Sequence, residues 1–436
     1  MVLYPTHGRN GAPGMIYDRE KKRRPLVALQ QVCVPHYRQR LFEILASDRR
    51  FRFLLLADPS ADVPFLLLSD APTSGASEAA TQHVLRLPFG LWLSWQPAAV
   101  RAVIRNRPDV VIAQGSPYDL TAWVLTMIGR VTGIPVLLWT NGLQGEESGL
   151  KWVIRACLYR LARGLMLYGD YAKQLLITKG LAADRLHVIY NSLDHSTQAR
   201  IAGAITTDDC ETFRRSLGVG AEERVICFTG RLQPVKRLPW LLQVLNIAAR
   251  RGKTIHLVLV GDGSERQPLE SLTVELGLTG LVHFLGAIYD ESRLGLILSA
   301  SDLAVVPSGA GLSIMHALAY GTPVLLHDKV EEHFPEWEAV KDGETGWMYR
   351  HDDVSDCVEK LIDALFPNPK KPAMAAACRA MISSRYNSTT HAGLFVDAIA
   401  KHCALTSSDD EGGTAVDEVG RSQPHVGSVE PRGSRC

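Results

Sequence analysis

The chain has 436 residues, of which 46% are hydrophobic and 21% charged, and its formal net charge is +1. That length exceeds what a single compact core usually organises, so two domains are expected. A charge so close to zero excludes a global field that would draw the chain to nucleic acid; an anionic partner must be met by a local patch.

The first 24 residues are rich in Gly, Pro and charge and end in Lys21-Lys22-Arg23-Arg24. They lack the apolar stretch of a signal peptide, so a disordered segment and no secretion are expected. No apolar run reaches the about 20 residues that cross a bilayer. The eight cysteines (Cys33, Cys157, Cys210, Cys227, Cys357, Cys378, Cys403 and Cys436) are scattered with no C-x-x-C pair. Such spacing argues against a zinc site or a disulfide framework and for reduced thiols in the cytosol.

From Pro25 onward strands alternate with helices. Leu26–Cys33 is a short apolar run, and a helix carrying Leu41, Phe42, Ile44 and Leu45 follows it. Phe51–Ala57, Asp109–Gln114 and Pro135–Trp139 continue the series. Short continuous apolar runs separated by helices mean parallel strands covered on both faces, that is, an α/β domain. The pattern restarts after the polar stretch 202–223, with Arg224–Thr229, Ile255–Val260, Leu303–Pro307 and Pro323–Leu326 as strands. Two doubly wound, Rossmann-like domains are predicted, over residues 25–200 and 201–370. Residues 371–404 should form helices packing back toward the first domain, and 405–436 a disordered tail. Ligands of such sheets bind beyond the carboxyl ends of the strands, so the cleft between two of them is the expected site.

Several strand-to-loop junctions of the second half carry residues suited to an anion. Gly230 permits a sharp turn, and Arg231 and Lys236 follow it on the loop and helix start. An arginine fork and a lysine point charge fit a diphosphate, although two solvated surface cations would read the same. After the next strand, Gly261 and Gly263 allow close backbone approach to a ligand, or only a tight turn, and Ser264 stands where a helix cap would. The small-residue loop Pro307-Ser308-Gly309-Ala310-Gly311-Leu312-Ser313 runs into a helix through the apolar Ile314, Met315, Ala317 and Leu318. Its free N–H groups and positive dipole end make an anion site, with His316 a turn further on. Tyr320-Gly321-Thr322-Pro323 is a structural turn back into a buried strand.

In this order and spacing the second half resembles the donor-binding half of retaining glycosyltransferases of family 4, which have the GT-B fold. The resemblance runs from Val188 to Tyr349. It includes Asn191 and Asp194, Gly230-Arg231 to Lys236, Gly261-Asp-Gly263, Leu285-Gly286, Ala300-Ser-Asp302, Pro307-Ser308, Gly311-Leu312, Gly321-Thr-Pro323 and Asp342-Gly343-Glu-Thr-Gly346. The first half matches more loosely, through Pro35-His36-Tyr37-Arg38 and Trp139-Thr140-Asn141-Gly142. The resemblance implies that a nucleoside-diphosphate sugar binds the second domain, at Gly230, Gly261, Gly263, Ser308, Gly309, Gly311, Leu312 and His316. A glycan or lipid-linked acceptor would approach from the first domain beside Tyr37 and Arg38. Arg231 and Lys236 would stabilise the departing diphosphate, with Asn141 across the cleft and no metal or other cofactor. The product class it implies is a surface polysaccharide or glycolipid. Three departures stand out: Ser308 and His316 occupy the places of two glutamates, and Asn141 that of a histidine. Gly311-Leu312-Ser313-Ile314-Met315-His316-Ala317 fits branches that carry a histidine at the second of these places. His327, Asp328, His333 and Glu336 are read as no metal site, because their spacing fits no familiar ligand pattern.

Residues 151–165 form one further helix in this reading, with Val153, Ile154, Cys157, Leu158, Leu161 and Leu165 on one side. Lys151, Trp152, Arg155, Tyr159, Arg160 and Arg163 fall on the other. That basic aromatic face suits anionic lipid headgroups, at the inner face of a membrane, or simply solvent around an ordinary core helix. Against the transferase stands a non-catalytic GT-B protein that binds a nucleotide sugar or a protein partner. A GT-B epimerase would need paired acid–base carboxylates, and a dinucleotide dehydrogenase a G-x-G-x-x-G after the first strand.

Overall fold

A computed structural model describes residues 24–58, 76–86, 92–366 and 372–403. The expected disorder of the N-terminal segment and of the tail falls on residues 1–23 and 404–436, outside this range.

The first domain contains β1 (Leu26–Gln30), β2 (Arg52–Ala57), β3 (Ala76–Ala79), β4 (His83–Arg86), β5 (Trp92–Trp95), β6 (Val110–Gln114), β7 (Val136–Thr140), β8 (Gly164–Leu167) and β9 (Leu186–Val188). Seven of these form one parallel sheet in the order β3-β2-β1-β6-β7-β8-β9, while β4 and β5 pair as an antiparallel ribbon. The second domain holds β10 (Arg224–Thr229), β11 (Ile255–Val260), β12 (Val282–Gly286), β13 (Leu303–Val306), β14 (Val324–His327) and β15 (Gly346–Tyr349). They form a parallel sheet in the order β12-β11-β10-β13-β14-β15. Both orders run outward from the first strand and then reverse, so each domain has a switch point, between β1 and β6 and between β10 and β13. The expected α/β, doubly wound architecture in two domains is therefore the fold.

The apolar runs become strands because both faces of each sheet are covered. Val27 and Leu29 enter one layer of the first domain and Ala28 the opposite one. All six residues of β11 are buried. Alternate side chains thus serve different cores, and a run with no polar break is what such a strand requires.

Three boundaries differ from the expectation. The second domain begins near Leu193, ahead of residue 201, because Leu193, and Ile201 of the His195–Ala204 helix, already belong to its core. The two C-terminal helices divide between the domains. The Pro372–Ser384 helix gives Cys378 and Ile382 to the second core, while the Ser388–Ala400 helix buries Ala392, Phe395, Val396 and Ile399 against Leu41 and Leu45 of the first. The helix expected over 151–165 spans Gly149–Leu161, and Leu165 lies in β8.

That helix is also turned differently. Tyr159 is fully buried and Arg155 half-buried, whereas Leu150, Val153 and Ile154 are 74%, 53% and 42% exposed. Glu147, lying outside the wheel, draws Arg155 inward through a two-pronged pair at 2.6 and 3.1 Å, while Lys151, 2.8 Å away, stays exposed. The charged tether overrides the hydrophobic side of the helix. Among the described residues no helix is long and apolar enough to cross a membrane, and no cysteine forms a disulfide.

Candidate active site

Two cavities open at the switch points. The larger, of about 1110 Å³, lies beyond the carboxyl ends of β10, β11 and β12. Its second-domain wall is Thr229–Arg231, Val260–Gly263, Ala287–Tyr289, Glu291, Leu294, Leu312, Ser313 and His316. The first domain closes it with the 3-10 turn His36–Arg38 and the helix after it, through His36, Tyr37, Arg40 and Glu43. The smaller cavity, of about 790 Å³, sits above β6 and β7. It is lined by Arg38, Gln114, Trp139–Glu147, Tyr168 and Tyr171, and Glu331 of the second domain reaches its rim.

Arg231 enters the larger cavity directly, while Lys236 stands behind it with its Nζ donating to the carbonyl of Gly309 at 2.6 Å. Burial, and then the charge of Arg231, holds the Lys236 ammonium below its usual range. A neighbouring cation disfavours the ammonium, and a bound anion would offset that effect. The glycine loop leads into the Leu312–Ala319 helix, whose first residues Leu312 and Ser313 face the same cavity. The end of that helix presents unpaired N–H groups and positive potential to whatever the cavity holds.

Gly261 and Gly263 line the cavity as expected and also serve a second neighbour. A methyl group on Gly261 would lie 1.8 Å from the carbonyl oxygen of Gly230, and one on Gly263 2.4 Å from that of Leu232. With φ of +147° and +156°, they let the loops after β10 and β11 pack backbone to backbone, joined by the Leu232 N–H to the Asp262 carbonyl. This pairing builds the floor that presents Arg231. Ser264 makes no cap, since the following helix starts at Arg266 with Glu265 before it.

His316 lines the cavity, and a carboxylate accompanies it. Glu291 lies 3.5 Å from His316 Nδ1 and accepts hydrogen bonds from Gln198 Nε2 and the Tyr320 hydroxyl, each at 3.0 Å. Burial works to raise the Glu291 pKa, but the bonds from His316, Gln198 and Tyr320 bring it below the ordinary value. This carboxylate comes from another helix than His316, which position-by-position reading could not find. Ser308 is buried and lines neither cavity, nor do Gly309 and Gly311, which shape the loop. The paired expectation for Tyr37 and Arg38 also divides: Tyr37 faces the larger cavity and Arg38 the smaller. Arg38 stacks over Trp139 with its guanidinium 4.6 Å from the ring and donates to Tyr168 Oη. Asn141 is exposed on the rim of the smaller cavity.

Other residues of the pattern hold the frame. Asp302 accepts from the Val225 N–H at 2.8 Å and pairs with Arg214 at 3.1 Å, fastening a helix to β10. Asn191 donates to buried Glu336 at 2.7 Å. Asp194 caps the His195–Ala204 helix.

Two family models match the chain: one described as Glycosyltransferase Family 4 over residues 61–197, the other as Glycosyl transferases group 1 over residues 223–366. Between them they take in both Rossmann-like domains. The chain is a GT-B glycosyltransferase of family 4. The alpha-D-kanosaminyltransferase of Streptomyces kanamyceticus is 25% identical over 321 residues, covering 64% of this chain and 80% of that relative. The D-inositol 3-phosphate glycosyltransferase of Nocardia farcinica is 33% identical over 202 residues, covering 44% of this enzyme and 42% of that one. Among solved structures, Anabaena HepE in complex with UDP superposes with a TM-score of 0.64 at 20% identity, covering 86% of this glycosyltransferase and all of HepE. The sucrose-phosphate synthase of Thermosynechococcus elongatus gives 0.63 at 16% identity, covering 87% of this enzyme and 99% of that chain. These structural likenesses carry the fold.

Proposed function

We propose that this glycosyltransferase moves a sugar, with its anomeric configuration retained, from a nucleoside-diphosphate sugar to a hydroxyl of a glycan or lipid-linked acceptor. Surface polysaccharide or glycolipid synthesis is the role this reading assigns. The observation that carries it is the larger cavity, where Arg231 and the start of the Leu312–Ala319 helix form the wall and Lys236 stands behind it, bonded to the glycine loop. Three positive elements around a cavity of that size fit a diphosphate with its nucleoside and sugar. HepE, which shares the fold, has been seen with UDP and with UDP-glucose.

Chemically, the costly step is loss of the diphosphate from a sugar that becomes oxocarbenium-like. Arg231, Lys236 and the backbone N–H groups of Leu312 and Ser313 meet the developing charge, so the step is proposed to run without a metal ion. Retention requires the acceptor hydroxyl to arrive on the face the diphosphate leaves. The smaller cavity, with Arg38, Asn141 and Gln114, is the proposed acceptor approach. Glu291 and His316, which both line the larger cavity, are proposed to hold nucleoside hydroxyls as acceptor and donor. The exposed Leu150, Val153 and Ile154, flanked by exposed Lys151, Arg160 and Arg163, are proposed to rest on an anionic membrane at its inner face.

The decisive experiment is a thermal-shift and hydrolysis screen against UDP-, GDP-, ADP- and dTDP-sugars. One nucleotide should stabilise the protein selectively, with slow release of free nucleotide. Stabilisation without turnover, even with lipid-phosphate acceptors present, would leave a nucleotide-sugar binding protein. No response to any nucleotide would remove the donor site.

A further inference from the structure

We propose that His327, Glu332 and His351 form a binding site for one divalent cation of the zinc class on the second domain, apart from the proposed reacting centre. His327 ends β14 and is fully buried, yet neither of its ring nitrogens has a hydrogen-bond partner. A buried imidazole left with nothing at both nitrogens is an exception that asks for a missing partner. Its Nε2 lies 3.7 Å from Glu332 Oε2, and His351 Nε2 lies 3.4 Å from the same oxygen. One donor atom from each of the three residues falls within 4.8 Å of the other two. A tetrahedral zinc with bonds of about 2.0–2.1 Å places its ligand atoms roughly 3.3 Å apart, so small side-chain rotations close the set.

The surroundings sort the ligands. His351 Nδ1 lies 3.0 Å from Asp352 Oδ2, which holds that nitrogen as the N–H and turns Nε2 toward Glu332. His333, whose ring stacks 4.1 Å from His327, is already satisfied: its Nε2 donates to the His327 carbonyl and its Nδ1 accepts the Ala310 N–H. Two groups compete with the ion. Lys329 takes Glu332 Oε1 at 2.7 Å, which leaves Oε2 available. Arg237 Nη1 lies 3.2 Å from His351 Nε2 and must release it, keeping its pair with Asp352 and its place over Trp240. Two imidazoles and one carboxylate favour zinc, cobalt or nickel over magnesium or calcium. An ion here would tie the end of β14 to the Val330–Glu332 turn and to the loop after β15, with the glycine loop attached through His333.

The test uses the untagged full chain, stripped with a chelator and titrated with Co²⁺ and Zn²⁺. We expect one cobalt per chain with the visible absorption of a tetrahedral site, displaced by zinc. His327 is buried and its replacement risks the fold, so the variants are His351→Ala and Glu332→Gln. Each should weaken binding at least roughly tenfold while the metal-free circular dichroism and melting temperature stay near the parent's. No binding in the parent chain would overturn the proposal, and so would binding left unchanged by both substitutions.

Discussion

At Gly261 the missing methyl is what allows two loops to touch. Any side chain there would meet the Gly230 carbonyl at 1.8 Å, with φ held at +147°. Gly261→Ala should therefore cost on the order of 3 kcal/mol, read by urea denaturation. A cost under about 0.5 kcal/mol would show that the loops can move apart freely. Arg231 makes a different prediction, because it presents charge to a cavity. Arg231→Ala and Lys236→Ala should each lower turnover roughly 100-fold or more, with circular dichroism unchanged. Full activity in both variants would show that the diphosphate is held elsewhere. Arg231, Lys236 and the glycines were legible in the sequence as candidates, because they stand together at loops that follow buried strands. Glu291 did not: it sits on a different helix from His316, and only the packing of the two helices brings its carboxylate to the ring.

Elements of the two domains are joined through helix ends. Glu338, in the second domain, accepts the N–H groups of Asp170 and Tyr171 at 2.9 Å each, satisfying the start of a first-domain helix. Gly169 keeps the approach open, since a methyl there would lie against the Glu338 carboxylate. Burial pushes the Glu338 carboxyl up, and the two N–H groups partly offset this. Glu338→Ala should cost about 1–2 kcal/mol in thermal or urea unfolding, with Glu338→Gln, which keeps one acceptor oxygen, between it and the parent. Equal stability of all three would mean that water replaces the carboxylate without loss. Most interior strands were legible as apolar runs because parallel strands have no wet face. Strand β8, although buried, was absorbed into the helix before it, and the edge strands β3, β9, β12 and β15 and the β4–β5 ribbon have weaker or shorter patterns. Glu147 shows why one helix was placed but not oriented: the pair that rotates it is made from outside the helical repeat.

For the whole molecule a net charge of +1 means that membrane contact must be local. The Gly149–Leu161 helix turns apolar side chains outward beside exposed cations, a pattern that binds anionic interfaces in a salt-sensitive way. The chain should co-sediment with anionic vesicles at low salt and much less with neutral ones. Val153→Glu combined with Ile154→Glu should abolish this while leaving nucleotide-induced stabilisation intact. Absence of binding by the parent chain would remove the membrane from the proposal.

The sequence by itself determined the class of fold, the division into two domains and the two loops after β10 and β11 that face the larger cavity, since these follow from local polarity, glycine placement and spacing along one strand-loop-helix unit. Tertiary structure alone decided the rest. It divided Tyr37 from Arg38 between two cavities, gave Gly261 a loop as its neighbour and paired His316 with Glu291. It also drew His327, Glu332 and His351 together from separate segments. Each of these depends on which elements lie side by side, and that is set by strand order and helix packing, which no local pattern encodes.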